Sequence, residues 1–384
     1  MTDTLTIRKV ESKRDFKAFF EFPWAVYKDN PHWVPPLLSQ RHHLLDKKKN
    51  PSWDYLEGDY YVAWRGERPV GTIAAFINHR HNEYWEEKIG WFGFFEVFED
   101  VEAASALLQT ALDYAKAKGM SAVRGPANFT LNDECGLLID GFVQPLVLMP
   151  YNHPYYQRLI EGEGFEKIQD TISVWTDPSR YLDEQGNPPA KVIRVVQKVA
   201  ERKGITTRAA VMKKLKAELE LLRQIYEKAW EKNWGFVPPT LREMDALFKS
   251  LKDFYHPALG WFGLVDGKEV GFMMGLPDMN QVLKHAYPHP RTPEIITLLK
   301  AFWHWKIRSK ITRQRILLFG INAEFRSMGV DAAIFLAYVL AAMKSIPNID
   351  AGWVLEDNIN ALSNMKTWGA TEHRRYRFFQ KPVN

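Results

Sequence analysis

A glycine-ended turn between a strand and a helix is the part of this sequence best suited to hold a ligand. The apolar run 316–321 predicts a strand, the pattern 332–343 predicts a helix, and residues 326–331 join them. Such a turn directs unpaired backbone N–H groups, and the positive end of the helix dipole, at one point. We therefore expect a pyrophosphate site, with the Asp331 carboxylate turned outward or capping the helix, because it would otherwise repel phosphate.

A second motif follows in the order that such a site needs. Residues 349–356 predict a strand, and a short helical pattern then runs from Asn358 through Ala361 to Gly369. Together the two motifs resemble the signatures of the GNAT acyltransferase superfamily, whose Gln/Arg-x-x-Gly-x-Gly/Ala loop grips the pyrophosphate of coenzyme A. The sequence departs from the family at Ala370, where an aromatic residue is usual, and at Met365, where many members carry a tyrosine that protonates the departing thiolate.

The resemblance implies acyl-CoA or acetyl-CoA as co-substrate and assigns the residues that would bind it. These are Ile321, Arg326, Ser327, Met328, Gly329, Val330, Asp331, Asn358 and Met365. Acyl transfer to an amine also needs a base for the amine proton and donors for the oxyanion. Glu324, at the end of the nucleotide-binding strand, and Glu356, after the next strand, are the predicted catalytic residues, and backbone N–H groups of a splayed strand would serve the oxyanion.

The chain repeats itself at a nearly constant offset. Residues 33–37 recur as 236–240, each with a Pro pair, and the predicted hairpin 60–73 recurs as 261–273. Matching order and spacing of two unlike motifs indicates tandem duplication. We expect an α/β fold with a mixed sheet and helices on both faces, made of two GNAT-like domains. The predicted boundaries are domain one at 1–176, a polar, proline-rich linker at 177–189, and domain two at 190–384.

The two predicted domains differ where the nucleotide would lie. In domain one a strand passes through Glu99, Asp100, Val101 and Glu102 directly into its helix. Three carboxylates there would repel a pyrophosphate. We therefore expect the acyl-CoA in domain two and an acceptor-shaping role for domain one.

Domain one carries an unusual loop, residues 125–142, dense in amides, carboxylates and glycines. Loops held on a scaffold often carry specificity, so this one is a candidate for the acceptor site. Asp133 or Glu134 could bind and deprotonate an ammonium group, with Asn128 and Asn132 beside them. An equally weighted alternative is that Asn128, Asn132 and Asp133 only close turns.

The stretch 293–310 predicts a basic amphipathic helix with two tryptophans. Ile295, Leu298, Leu299, Phe302 and Trp305 would share one face. Helices of this kind can lie on a membrane surface. A core-facing helix with a solvated basic side is the commoner case and is the favoured interpretation, while weak surface contact stays open.

Composition limits the remaining possibilities. The chain has 384 residues with 51 basic and 46 acidic side chains, so no global field for nucleic acid is implied. No signal segment or membrane-spanning run is evident, and we expect a cytoplasmic protein, with peripheral contact at the inner face of the membrane left open. The single cysteine, Cys135, excludes an internal disulfide; we expect a buried thiol and no metal site.

The prediction is an acyl-CoA-dependent N-acyltransferase. The segments 20–24, 30–36, 81–82, 125–134 and 233–238 look like those of bacterial tandem-GNAT proteins, a group that includes the bacterial ceramide synthases. This resemblance implies a small-molecule or lipid amine as acceptor. The alternative is a non-catalytic protein that binds a CoA ester, lipid or peptide with a degenerate GNAT fold. The identity of the acceptor, the length of the acyl chain and the oligomeric state do not follow from the residues.

Overall fold

The computed structural model describes residues 4–176, 182–183, 188–231, 233–251, 254, 256–308, 311–342 and 345–383. Most of the predicted linker lies outside these residues. The first repeat contains, in chain order, β1 (Leu5–Lys9), α1 (Lys13–Val26), α2 (Leu38–Leu45), β2 (Leu56–Arg65), β3 (Arg68–Asn78), α3 (His79–Trp85), β4 (Ile89–Val97), α4 (Val101–Ala117), β5 (Ala122–Gly125), β6 (Leu137–Asp140), α5 (Tyr155–Gly162) and β7 (Glu166–Thr176).

The second repeat follows the same order. It is preceded by α6 (Ala190–Arg202) and contains β8 (Ile205–Ala209), α7 (Leu215–Trp230), α8 (Leu241–Leu251), β9 (Gly260–Val265), β10 (Lys268–Pro277), α9 (Asn280–Ala286), α10 (Glu294–Phe302), β11 (Arg313–Ile321), α11 (Val330–Ala342), β12 (Asn348–Leu355), α12 (Ile359–Thr367) and β13 (Ala370–Pro382). The predicted mixed α/β fold and its internal duplication are confirmed. Among the described elements, β6 in the first repeat and α10 in the second are the insertions.

Local sequence explains where several of these elements begin. Ser12 caps α1 and forms a reciprocal pair of hydrogen bonds with Asp15, which satisfies two groups at the helix start. The two Pro pairs stand at equivalent corners, just before α2 and α8. Proline cannot continue a helix ladder, so each pair separates two helices of its repeat.

The strands form one continuous sheet in which the two repeats exchange their final strands. The order is β1-β2-β3-β4-β5-β13-β7-β12-β11-β10-β9-β8, with β6 paired to β13. The last strand of the second repeat therefore lies between β5 and β7, and the last strand of the first repeat pairs with β12. Each repeat is completed by a strand of the other.

Apolar side chains cover both faces of each repeat. In the first repeat, one cluster packs α1 against the sheet around Phe19, and a second packs α4 around Leu107. In the second repeat, α11 and α7 contribute the corresponding clusters around Ile334 and Ile225. None of the described helices is both long enough and apolar enough to cross a bilayer.

Candidate active site

The second repeat contains an opening between two parallel strands. Residues Arg313–Ile316 of β11 pair with residues Asn348–Ala351 of β12, and the pairing ends there. Both strands continue beyond it, β11 to Ile321 and β12 to Leu355. A bulge interrupts the pairing of β11 with β10 at the same level, between Ile316 and Leu318. Two strands that separate in this way expose backbone donors and acceptors along the edges of the gap. A ligand of extended shape could hydrogen bond there.

The glycine-ended turn lies beside this gap, as the start of α11. Ser327 and Gly329 both have left-handed backbone angles, with φ of 61° and 97°. Gly329 also packs closely against Val199 of α6, so a Cβ at this position would lie 2.9 Å from the Val199 Cγ1 atom. The first turn of an α-helix leaves N–H groups without intrahelical acceptors, which suits an anion. The Asp331 carboxylate is turned toward α12, where the Asn364 amide donates to it at 3.2 Å.

The arginine of this turn is held by main-chain oxygens. Its guanidinium donates to the carbonyl of Ile321 at 3.2 Å and to the carbonyl of Ala229 near the end of α7. The Arg326 side chain is nevertheless exposed. Its charge is therefore fixed near the start of α11 and accessible to a ligand in solution.

The remaining predicted donor-site residues have structural partners. Asn358 caps α12 by accepting the Ala361 N–H at 3.2 Å, and Met365 packs against the core on the α11 side. Ile321 and Met328 pack against the same core, and Val330 is fully buried within it. The structure thus brings the predicted donor residues together around the start of α11 and the adjoining α12.

The two glutamates predicted to be catalytic occupy different environments. Glu324 is exposed in a short 3-10 turn, and its carboxylate has no partner among the described residues. Glu356 accepts the Asp170 N–H at 3.0 Å and pairs with Lys167 at 2.7 Å. Its oxygens are engaged in holding β7 next to β12. The structure does not place either glutamate with the acidic loop of the first repeat.

In the first repeat the equivalent gap is filled by the protein itself. Only three residues of each strand pair between β4 and β5: Ile89–Trp91 of β4 pair with Ala122–Arg124 of β5. The chain after β5 then turns into the gap: the Ala127 N–H donates to Phe92 at 2.9 Å, and the Asn128 side-chain oxygen accepts the Phe94 N–H at 2.9 Å. Gly93 permits this approach, because a Cβ there would overlap the Ala127 carbonyl oxygen.

The helix start of the first repeat is also occupied. Asp100 accepts the Ala103 N–H at 3.0 Å and forms two hydrogen bonds with the Arg65 guanidinium, at 2.9 and 3.0 Å. This carboxylate takes the place at the helix start that a phosphate would need.

The acidic loop of the first repeat faces the second repeat. The Asn132 amide oxygen accepts the Tyr226 hydroxyl of α7 at 2.9 Å, and Leu131 packs closely on Gly235. Asp133 accepts the Thr130 N–H and hydroxyl at 3.1 and 2.7 Å, and burial raises its pKa to about 7. Asn128, Asn132 and Asp133 thus close or anchor the loop, which leaves Glu134 as its free acid.

Glu134 interacts electrostatically with Arg41 and Glu96 of the same repeat. Its side chain is exposed to solvent, yet the surrounding protein desolvates it and raises its pKa. Glu96 and Arg41 are also partly accessible, and burial raises the pKa of Glu96 to about 7 and lowers that of Arg41 to about 10. Desolvation disfavours the charged form of each group, which raises the pKa of a carboxyl and lowers the pKa of a cation. Arg41 interacts electrostatically with both carboxylates.

Two tyrosines hold Glu96 in place. The hydroxyls of Tyr27 and Tyr156 donate to its Oε2 atom at 2.6 and 2.8 Å. Burial is the largest cause of the raised pKa of Glu96, and these two hydrogen bonds oppose it. The carboxylate is therefore fixed in position and takes up a proton near neutral pH.

The fourth charged side chain of this group comes from the second repeat. Arg315 lies on β11 just before the gap, and its guanidinium donates to the carbonyls of Val147, Leu148 and Gly352 at 2.8, 2.6 and 3.2 Å. Its charge lowers the pKa of Glu134. We call this group the inter-repeat chamber: Arg41, Glu96, Glu134 and Arg315. These four side chains therefore extend from α2 of the first repeat to β11 of the second, where Arg315 lies just before the end of the β11–β12 pairing.

A separate cavity lies between the repeats on the other side of Asn132. It is a small space lined by residues that include His81, Thr130, Asn132 and Glu243. Glu243 is already bonded to Ser52 and Tyr55, and His81 pairs with Glu87 at 2.9 Å. These charges serve structure, so the chamber is the better candidate for chemistry. In the described part of the chain, no three His, Cys, Asp or Glu side chains are grouped to hold a metal ion.

Sequence patterns did not identify most of the chamber. Arg41 and Tyr27 lie in ordinary amphipathic stretches, and nothing local marks them. Glu96 is the lone acid in an otherwise apolar strand, and Arg315 is followed by five apolar residues and a glycine, Ile316 to Ile321. A charge next to a run of buried apolar residues in a strand is the signal that could have found both, because it must be paired or accessible to a ligand.

Comparisons with known proteins agree with this geometry. The chain is 30% identical to Protein YghO of Escherichia coli (strain K12), over 98% of this chain and 95% of that one. It is 28% identical to a bacterial ceramide synthase of Caulobacter vibrioides, over 99% of this chain and 98% of that one. No family model matches the sequence.

Solved structures share the fold across the whole chain. A tandem GNAT protein from the clavulanic acid biosynthesis pathway superposes with a TM-score of 0.57 at 12% identity, covering 99% of both chains. A probable N-acyltransferase from Enterococcus faecalis gives a TM-score of 0.51 at 10% identity, covering 99% of this chain and 73% of that one.

Proposed function

Because the chain belongs to the tandem GNAT proteins, together with relatives such as YghO and bacterial ceramide synthase, we propose that it is an acyl-CoA-dependent N-acyltransferase. One observation carries the proposal: two desolvated carboxylates, Glu96 and Glu134, interact with one another, and Glu134 also interacts with Arg315, which lies just before the open gap of the second repeat. That is where an amine and a thioester could meet.

The acyl-CoA is proposed to bind in the second repeat. The pyrophosphate would lie at the start of α11, held by backbone N–H groups of residues 327–332 and by the charge of Arg326. The pantetheine arm would run between β11 and β12, where the strands separate after Ile316. This path directs the thioester from the helix start toward the chamber.

The acceptor is proposed to be a primary amine that enters the chamber as an ammonium ion. Glu134 would bind it through charge, and the first repeat would shape the pocket through the loop 126–136. An amphiphilic amine is favoured by the similarity to a bacterial ceramide synthase. The assignment of residues 1–176 to acceptor shaping, 177–189 to a linker and 190–384 to the donor domain belongs to the same proposal.

The chemistry needs two proton transfers. Burial raises the pKa of Glu96 to about 7 and also raises the pKa of Glu134, and either carboxylate could take a proton from the ammonium directly or through water. The neutral nitrogen then attacks the thioester carbon, so a C–N bond forms, and the C–S bond breaks as the nitrogen loses its second proton. CoA leaves as a thiolate and is protonated by solvent or by the same carboxylic acid, since Met365 cannot supply a proton.

The two glutamates at the strand ends fit less well into this scheme. Glu356 is bonded to the Asp170 N–H and paired with Lys167. Glu324 is exposed in its short 3-10 turn. Glu324 remains a candidate for proton transfer through water, and both serve as comparison sites for the chamber residues.

The test is acyl transfer by the purified chain. Acetyl-CoA and long-chain acyl-CoA would be combined with a sphingoid base, an alkylamine and a polyamine, and free thiol and N-acyl product would be measured together. We expect thiol release that depends on an amine. Tight binding of CoA esters without turnover of any amine would instead support the alternative, a non-catalytic protein that binds a CoA ester, lipid or peptide.

A further inference from the structure

The surface of the second repeat carries a concentrated apolar patch on α10 and the π-helical turn Trp303–Ile307 that continues it. Seven large apolar side chains in this segment are between 42% and 64% exposed: Ile295, Ile296, Leu298, Leu299, Phe302, Trp303 and Ile307. The interpretation that this helix faces the core is therefore wrong. Exposed large apolar side chains elsewhere in the described residues are scattered, so this patch marks a contact surface.

Polar contacts attach the segment to the rest of the protein. Thr297 is its buried residue, at 1% exposure, and Glu294 accepts the N–H and hydroxyl of Ser39 in α2 at 3.1 and 2.8 Å. The His304 ring stacks on His285 of α9 with ring centres 4.8 Å apart. Trp305 also packs against Phe254, with ring centres 5.7 Å apart. The segment is thus docked through these polar and aromatic contacts, while the seven exposed apolar side chains are directed outward.

The charge of the segment indicates what covers that face. Between residues 295 and 308 there are Lys300, Lys306 and Arg308 and no acidic side chain. A second copy of this chain, related by a twofold axis, would place these cations against one another. An anionic lipid surface would attract them, and tryptophan at the boundary between apolar and polar layers suits such a surface.

We propose that α10 and its π-helical turn lie in the headgroup region of an anionic bilayer, with the apolar side chains in the acyl boundary and the three cations at the phosphates. The bound chain would stay peripheral, because the patch is a single amphipathic segment. Docking does not depend on the proposed acyl transfer.

The position of the segment relates the bilayer to the chamber. Ser39, which binds Glu294, lies on α2 two residues before Arg41. α2 therefore joins the membrane-facing segment to a wall of the chamber. If the proposed function holds, an amine lipid could pass along α2 from the bilayer to Glu134.

Flotation of the full chain with vesicles tests the docking. Vesicles of phosphatidylcholine alone would be compared with vesicles of phosphatidylcholine and phosphatidylglycerol, at low and high salt. We expect the chain to float with the anionic vesicles and to be released by salt. A chain that stays in solution with both kinds of vesicle at low salt would refute the proposal.

Two sets of substitutions separate the apolar and charged contributions. The double variant Phe302→Ser and Trp303→Ser should bind anionic vesicles at least about tenfold more weakly. Replacing Lys300, Lys306 and Arg308 by Gln should weaken binding by about a hundredfold, since each cation near the surface contributes about fivefold. Val101→Ser, at another exposed apolar site, should bind like the parent chain. Equal binding by all of these variants would contradict the assignment of the surface.

Thermal unfolding checks that each variant is folded, and sedimentation velocity tests the other occupant. A concentration-dependent dimer that the Phe302→Ser and Trp303→Ser variant abolishes, in a chain that does not float, would assign the patch to a second copy and overturn the proposal.

Discussion

The Asn128 side-chain oxygen accepts the backbone N–H of Phe94 at 2.9 Å, at the bulge of β4. In the second repeat the corresponding bulge of β11 adjoins an open gap, with no such side chain inserted among the described residues. One duplicated feature is thus closed by protein in one copy and left open to a ligand in the other. This asymmetry underlies the first prediction.

We expect one CoA molecule to bind per chain, in the second repeat. Gly329→Val should weaken this binding by at least about tenfold, because φ at this position is 97° and the new side chain would meet Val199. Isothermal titration calorimetry would measure stoichiometry and affinity. Ser327→Gly is the matched control, since glycine tolerates the φ of 61° at that position. Two bound CoA molecules per chain would contradict the assignment.

Loss of charge in the chamber should slow acyl transfer. Glu134→Gln and Glu96→Gln keep the size of each side chain, and each should lower kcat/KM for an identified amine by about a hundredfold, because proton transfer or ammonium binding is lost. Glu324→Gln and Glu356→Gln, outside the chamber, should have smaller effects. Steady-state kinetics would compare the four variants. Unchanged kcat/KM in both chamber variants would show that the amine binds elsewhere.

The pH dependence of stability should report the raised pKa of Glu96. The Glu96 carboxyl binds a proton more tightly in the folded chain than in the unfolded chain. Its contribution to the free energy of unfolding is therefore full below pH 4.5 and is lost as the pH rises through about 7. Glu96→Gln removes the titration. Its free energy of unfolding relative to the parent should rise by up to about 3 kcal/mol between acidic and mildly alkaline solution. Urea denaturation at both pH values would measure this, and parallel pH profiles would contradict it.

A buried ion pair should stabilise the exchanged strands. Arg374 of β13 and Asp350 of β12 are both fully buried and pair at 3.0 Å, and the Ser173 hydroxyl of β7 donates to the same carboxylate. Asp350→Ala leaves the arginine charge without its carboxylate, which should cost about 3 to 5 kcal/mol in urea denaturation. Asp54→Ala, which removes the exposed ion pair with Arg242, should lower the free energy of unfolding by at most about 1 kcal/mol. Equal costs would argue against a role of the buried pair.

The first repeat should not fold by itself. In the whole chain β13 lies between β5 and β7, and ten residue pairs join it to β7. A fragment of residues 1–176 lacks β13, so both β5 and β7 would have unpaired edges. We expect the fragment to aggregate or to show little tertiary structure by circular dichroism and NMR. Co-expression with residues 190–384 should recover soluble protein. A monomeric, folded fragment would contradict this expectation.

Sequence patterns predicted the features that depend on neighbouring residues. The glycine-ended turn, the duplicated hairpins and the buried Cys135 follow from local spacing and composition, and the structure contains all three. The chamber did not follow, because Arg41, Glu134 and Arg315 meet only through the packing of two repeats. The exposed face of α10 was also missed, since periodicity shows which residues share a face and leaves open the direction of that face.

Strand exchange imposes a delay between the synthesis of β5 and the synthesis of its partner strand β13. The strand that must pair with Gly125 begins at Ala370, and 370 minus 125 is 245 residues of further synthesis. At ribosomal rates that interval lasts roughly 10 to 50 s. During this time the edge of β5 that pairs with β13 is unpaired in the nascent chain. An unpaired strand edge can pair with another chain, so the interval before β13 emerges is the period of greatest exposure to aggregation. Recombination that moved one repeat without the other would remove a strand from both.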